Sequence, residues 1–144
     1  NHPFMTLDGW MPLGELNIGD RVAVPRWVPE PVQTQRMDDS EVILLAHMIG
    51  AGSCVKNQPI RYASIDEQNL LAVTKAARHF GVTAIRDEYP AARVTTLRLP
   101  APYHLTHGKR NPIAAWLDKL GMFGKRSYEK FVPADVFALP DDQI

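Results

Sequence analysis

Across 144 residues the sequence holds a single cysteine, Cys54. A disulfide within these residues is excluded, and so is any cysteine-based metal cluster. Such a residue ordinarily serves as a small buried hydrophobe. No run approaches the eighteen or so consecutive apolar residues of a membrane span. The opening Asn1-His2-Pro3-Phe4 lacks the basic and apolar pattern of a targeting segment. The expectation is a soluble, cytoplasmic chain. No Gly-rich phosphate loop is present, so ATP-driven work is not encoded in these residues.

The chain also has no net charge, with 16 basic and 16 acidic side chains. That average hides a segregation along the sequence. Residues 1–52 hold three basic and seven acidic side chains, residues 53–110 nine and four, and residues 111–144 four and five. The middle is therefore a basic island. Its Lys56, Arg61, Arg78, Arg86, Arg93, Arg98, Lys109 and Arg110 form a phosphate-contacting set if most share one face, and an ordinary solvated surface if they do not.

From His2 to Val28, short apolar runs broken by Gly, Pro and Asp indicate strands and tight turns. Pro25, Pro29 and Pro31 then disfavour helix and withhold ladder donors, which indicates a linker. Asp38-Asp39-Ser40 offers an acidic cap for a helix over Glu41–Ile49, stopped at Gly50 or Gly52. Cys54–Ile65 reads as a hairpin around Asn57-Gln58-Pro59. Asp66–Phe80 has apolar residues at helical spacing and closes at Gly81. Val82–Ile85 and Arg93–Leu99 read as a second strand pair, and Asn111-Pro112 opens a helix through Leu120 that ends at Gly121. The order is helix, hairpin, helix, hairpin, helix.

The run Leu44-Leu45-Ala46-His47-Met48-Ile49-Gly50-Ala51-Gly52 resembles the signature helix of LAGLIDADG homing endonucleases, with Ala51 where the metal-binding acid belongs. The element order resembles one LAGLIDADG half-domain, an α+β unit of order αββαββα. Asn1-His2-Pro3-Phe4-Met5-Thr6-Leu7-Asp8-Gly9-Trp10, with Gly14-Glu15-Leu16-Asn17-Ile18-Gly19-Asp20-Arg21-Val22, resembles the Hint-domain block that carries the splicing histidine. Inteins join these modules in this order, and the resemblance extends to inteins that interrupt mycobacterial replicative DNA helicases. It implies part of an all-β Hint splicing domain over 1–28, a linker over 29–37 and a homing-endonuclease half-domain over 38–144.

Several roles are implied by that resemblance alone. His2 matches the histidine that polarises the scissile peptide in splicing. The splicing nucleophile would precede Asn1 and the terminal asparagine would follow Ile144, so these residues would not splice by themselves. Two signature helices pack together in the family, and the acid at the foot of each binds Mg or another divalent metal that activates water. With Ala51 there, between Gly50 and Gly52, that ligand is lost and strand cleavage is expected to be slow or absent. Lys130, in Lys130-Phe131-Val132-Pro133, matches a lysine block near the metals.

The implied partners are double-stranded DNA, the remainder of the intein with its helicase host, and a second copy paired through the Leu44–Gly50 helix. Lys56, Arg61, Arg93 and Arg98 are the candidate DNA contacts. The alternative is an insert that no longer touches DNA and only supports the splicing domain. His104-x-x-His107 has zinc-ligand spacing but lies among prolines and a glycine with no cysteine near, and Asp141-Asp142 reads as a solvated turn.

Overall fold

The computed structural model describes residues 2–26, 29–87 and 91–144. Asn1 and Val28, the ends of the expected splicing segment, lie outside them. The chain divides into Asn1–Glu30 and Pro31–Ile144.

In the first unit, β1 (Pro3–Thr6) and β2 (Gly9–Pro12) form an antiparallel hairpin that pairs Thr6 with Gly9. Gly9 adopts a φ of +107°, open to glycine and strained for other residues, and the Thr6 hydroxyl donates to its carbonyl at 2.8 Å. The Ala23 N–H then donates to the Met5 carbonyl at 2.7 Å. None of the described residues of this unit is buried, and Leu7, Trp10, Ile18 and Val24 are largely exposed.

The second unit begins its regular structure with α1 (Asp39–Ala51). Asp38 caps it by accepting the Ser40 N–H at 2.8 Å, and Asp39 and Glu41 complement the helix dipole. The helix passes through Gly50 and ends one residue before Gly52, whose N–H closes on the Met48 carbonyl. β3 (Gly52–Ser53) follows at once, then a turn with Asn57 at φ +63° and β4 (Arg61–Ser64). α2 (Glu67–Ala77) is capped by Asp66, and α3 (Pro112–Lys119) by Asn111 with proline in its first turn. Between them lie β5 (Ile85–Asp87) and β6 (Thr95–Arg98).

The second strand pair differs in its limits from the sequence expectation. Val82 is not in a strand because it belongs to the helix stop. Gly81 at φ +69° donates to the Arg78 carbonyl, and the Val82 N–H reaches back to Ala77 at 3.1 Å. This is the Schellman pattern, which buries the residue after the glycine. Gly121 and Met122 end α3 in the same way, with Met122 donating to Leu117 at 2.8 Å.

The four strands form an antiparallel sheet in the order β3-β4-β6-β5. Tyr62 and Leu97 are cross-strand partners on its buried face. They share one core with Leu44, Leu45 and Met48 of α1, Leu70 and Val73 of α2, and Ile113 and Leu117 of α3. Because side chains alternate across a strand, Arg61 and Arg98 occupy the opposite face. Gln35, Arg36 and Met37, read from sequence as the end of a linker, are bonded to the C-terminal segment. Gln35 donates to Ala138 at 2.6 Å, Arg36 grips Asp142 with two bonds, and Met37 and Gln143 exchange two more.

Candidate nucleic-acid interface

Arg61 and Arg98 sit directly opposite each other in the β4–β6 register, on the sheet face away from the core. Like charges in that relation destabilise a sheet. One carboxylate compensates. Asp87, on the neighbouring strand β5, takes the Nε and Nη2 of Arg98 at 2.5 and 2.9 Å. Those hydrogen bonds hold the Asp87 carboxyl below its ordinary value; burial opposes the shift, and the positive charges of Arg98 and Arg61 add to it. Arg61 itself is exposed and makes no ion pair among the described residues. Arg61 thus adds a second guanidinium to this face, beside the Arg98–Asp87 pair.

The row that holds this pair starts at the foot of α1. Ser53 pairs with Arg61, Arg61 with Arg98, and Arg98 with Ile85. Ala51 is the last residue of α1, exposed, and two positions before Ser53. Gly52, between them, is buried, and a Cβ there would meet Met48 at 2.6 Å. Gly50 faces open space. The Lys130 ammonium docks at this helix end, donating to the carbonyls of Gly52 at 2.7 Å and Ile49 at 3.1 Å. Helix C-termini leave carbonyls without intrahelical partners, and a cation there is favourable.

These residues do not fit a divalent metal. Gly50, Ala51 and Gly52 offer no side-chain oxygen, and the Ile49 and Gly52 carbonyls already accept an ammonium. Among the described residues no group of three or more His, Cys, Asp or Glu side chains is arranged to hold one.

The remaining candidates lie apart. Arg93 precedes β6, at the opposite end of that strand from Arg98, so it is not in the row. Lys56 is in the β3–β4 turn, its stem filling the space that a Cβ on Gly124 would need. His2 belongs to the first unit, exposed, with its carbonyl accepting from Leu13 at 2.8 Å. His104 and His107 are exposed loop residues, and Asp142 is engaged with Arg36. Within the helix expected to pair two copies, Leu44 is fully buried in its own core, so it presents no surface to a partner; Ile43, Ala46 and Gly50 are exposed instead. Sequence reading missed Asp87 as the partner of Arg98, because only strand register brings an acid eleven residues away onto that guanidinium.

No family model matches the chain. It is 39% identical over 150 aligned positions to the replicative DNA helicase DnaB of Synechocystis, and 40% identical over 147 to that of Nostoc; both alignments cover the whole chain. A third similarity, 29% over 92% of the chain, is to Protein RecA of Mycobacterium bovis. The chain spans about one sixth of the length of these curated relatives. It is homologous to a segment of DnaB helicase chains. The two helicases are cyanobacterial, and the mycobacterial relative is the RecA chain, so these similarities support the helicase relationship and not a mycobacterial helicase in particular.

Proposed function

We propose that this chain is part of an intein carried by a replicative DNA helicase: a portion of the Hint splicing domain followed by a LAGLIDADG half-domain that binds double-stranded DNA. The observation that carries the reading is the continuity of α1 with the arginine row. The residue standing at the acid position, Ala51, leads within two residues into the strand row that presents Arg61 and Arg98 together. A duplex lying on that face would bring its backbone to the foot of α1. Phosphates are neutralised there by Arg61 and Arg98, with Lys130 adding a third cation close by.

Two further observations support an inserted element over a helicase core. One stretch is similar both to DnaB chains and to a RecA chain, at about one sixth of each. The chain itself has no phosphate loop, and both of its sheets are antiparallel. The exposed apolar side chains of the first unit, Trp10 and Ile18 among them, fit a fragment of a larger β fold whose other strands would cover them. His2 is its splicing histidine in this reading.

Cleavage is impaired in this reading, because the metal-binding acid is replaced by Ala51 and the helix foot is occupied by an ammonium. That same replacement favours a second reading, in which the insert only supports the splicing domain. A magnesium-dependent cleavage and gel-shift assay separates them, using a duplex that spans the uninterrupted helicase insertion site and comparing the chain with Ala51→Asp. Binding by both proteins, with nicking confined to the Asp variant if it occurs, agrees with the DNA-binding reading. Absence of binding by both leaves the scaffold reading.

A further inference from the structure

No acidic residue occurs from 89 to 117, whereas Arg93, Arg98, Lys109 and Arg110 do, with His104 and His107. Part of that stretch, residues 100–110, is the connection from β6 to α3. It contains no strand or helix, yet it is closely fastened. Asn111 Nδ2 donates back to the Leu99 carbonyl at 2.8 Å, which ties its two ends together. The Tyr103 hydroxyl donates to the Arg110 carbonyl at 2.7 Å, and the Lys109 N–H to Thr106 at 2.9 Å, with Gly108 at φ +89° forming the turn. The Lys109 ammonium lies 5.3 Å from the centre of the Tyr103 ring, and Arg110 is held by Asp118 at 2.9 Å. This is a compact loop with joined ends, closed by polar and cation–π contacts.

Little of the loop is buried. Tyr103, His104, Leu105, His107 and Lys109 are all exposed. An ordered cationic loop that contributes no core residue is organised to present its side chains to something else. Its place in the fold says to what. The Leu99 N–H bonds to the Ile60 carbonyl at 2.9 Å, one residue beyond the Arg61–Arg98 pair. A cleft of about 510 Å³ then separates Asn57 and Ile60 on one side from Leu105 and Lys109 on the other. The loop therefore stands at the arginine end of the sheet.

We infer that the 100–110 loop is a second phosphate-contacting element, with Lys109 gripping the backbone of duplex DNA beside the stretch that meets the sheet face. The inference rests on the DNA-binding reading given above. Duplex is favoured over single strand because single-strand sites stack bases on open aromatic faces, and one face of the loop's Tyr103 ring is taken by the Lys109 ammonium. A duplex presents regularly spaced phosphates along its backbone, and Arg61 on β4 and Lys109 on the loop that starts beside Ile60 offer cations at the same end of the sheet.

The test is a salt titration of the affinity of the 144-residue chain for a short mixed-sequence DNA duplex, read by fluorescence anisotropy, for wild type, Lys109→Gln and Arg61→Gln. One phosphate contact contributes a slope of about 0.9 in log affinity against log salt, a factor of about eight per decade. Each substitution is expected to lower the slope by about one contact and to weaken binding accordingly below 1 M salt. If Arg61→Gln has this effect and Lys109→Gln changes neither slope nor affinity, the loop contact is wrong and the sheet-face reading stands. A wild-type chain that binds no duplex overturns both. If polyglutamate binds wild type in preference to duplex and loses that binding in Lys109→Gln, the loop is a site for acidic protein and the inference falls.

Discussion

The Lys130 side chain reaches across 78 residues of sequence to place its ammonium 2.7 Å from the Gly52 carbonyl, at the last turn of α1. It fastens the C-terminal segment to the end of the helix that carries Ala51. At the other end of α1 the same segment is fixed by Gln143, which bonds to Met37 and to Asp39 at 2.7 Å.

Lys130→Met keeps the length of the stem and removes the donor. The expected outcome is a loss of about 1–2 kcal/mol, toward the low end for hydrogen bonds to a charged group because the site is half-buried and water can reach the two helix-end carbonyls that lose their partner. Urea unfolding monitored by circular dichroism measures it. An unchanged midpoint would show that water replaces the ammonium at no cost.

The two glycines that flank Ala51 are expected to respond in opposite directions. Gly52→Ala places a methyl 2.6 Å from Met48 backbone, so a shift is forced and a loss of about 2 kcal/mol or more is expected. Gly50→Ala meets nothing within 4 Å inside a helix and should stabilise by up to about 1 kcal/mol. Thermal unfolding of the pair tests this directly. Equal effects would contradict the packing at Gly52.

Asp87→Asn removes the carboxylate that grips Arg98 from β5 while leaving Arg61 and Arg98 face to face. Stability should fall, and duplex affinity should rise with a steeper salt slope, because the face gains a full positive charge. In the wild type the sign of the pH effect follows from the depressed carboxyl. Its contribution is present above the ordinary value of 3.8 and is lost as pH falls through the lower folded value. Acid unfolding curves of wild type and Asp87→Asn should converge at the acid end. A DNA affinity lowered by Asp87→Asn would mean that the carboxylate positions Arg98 for the contact.

His47 stands 3.0 Å from the Tyr62 hydroxyl, edge to face with its ring, and burial pushes its pKa below the ordinary 6.5. The folded chain therefore favours the neutral ring. Its stabilising effect is complete above pH 6.5 and is lost as pH falls from there through the lower folded value. His47→Phe is expected to flatten the stability profile over that interval, measured as urea midpoints at neutral and mildly acid pH. A profile that keeps its slope would place the titration elsewhere.

The caps and stops of the second unit were legible in the sequence because they are local. Asp38, Asp66 and Asn111 each accept N–H groups two or three residues ahead, and Gly81 and Gly121 take the left-handed conformation that ends a helix. Strand limits were less so. Val82 looks like a strand residue until the helix stop claims its N–H, and β3 is only two residues long.

What the sequence determined by itself is therefore the series of elements, the apolar residues available to a core, and the alanine at the end of α1. Capping, helix stops and periodicity act over a few residues, and these short distances are written in the order of the chain. The candidate interface was decided by tertiary structure. Antiparallel register set Arg61 against Arg98 and brought Asp87 to them, while putting Arg93 at the far end of β6. Packing of the C-terminal segment carried Lys130 to the foot of α1, and pairing of Ile60 with Leu99 set the 100–110 loop beside the arginines. Such contacts depend on which strands pair and which faces bury, and many registers suit the same hydrophobic pattern until the whole core chooses one.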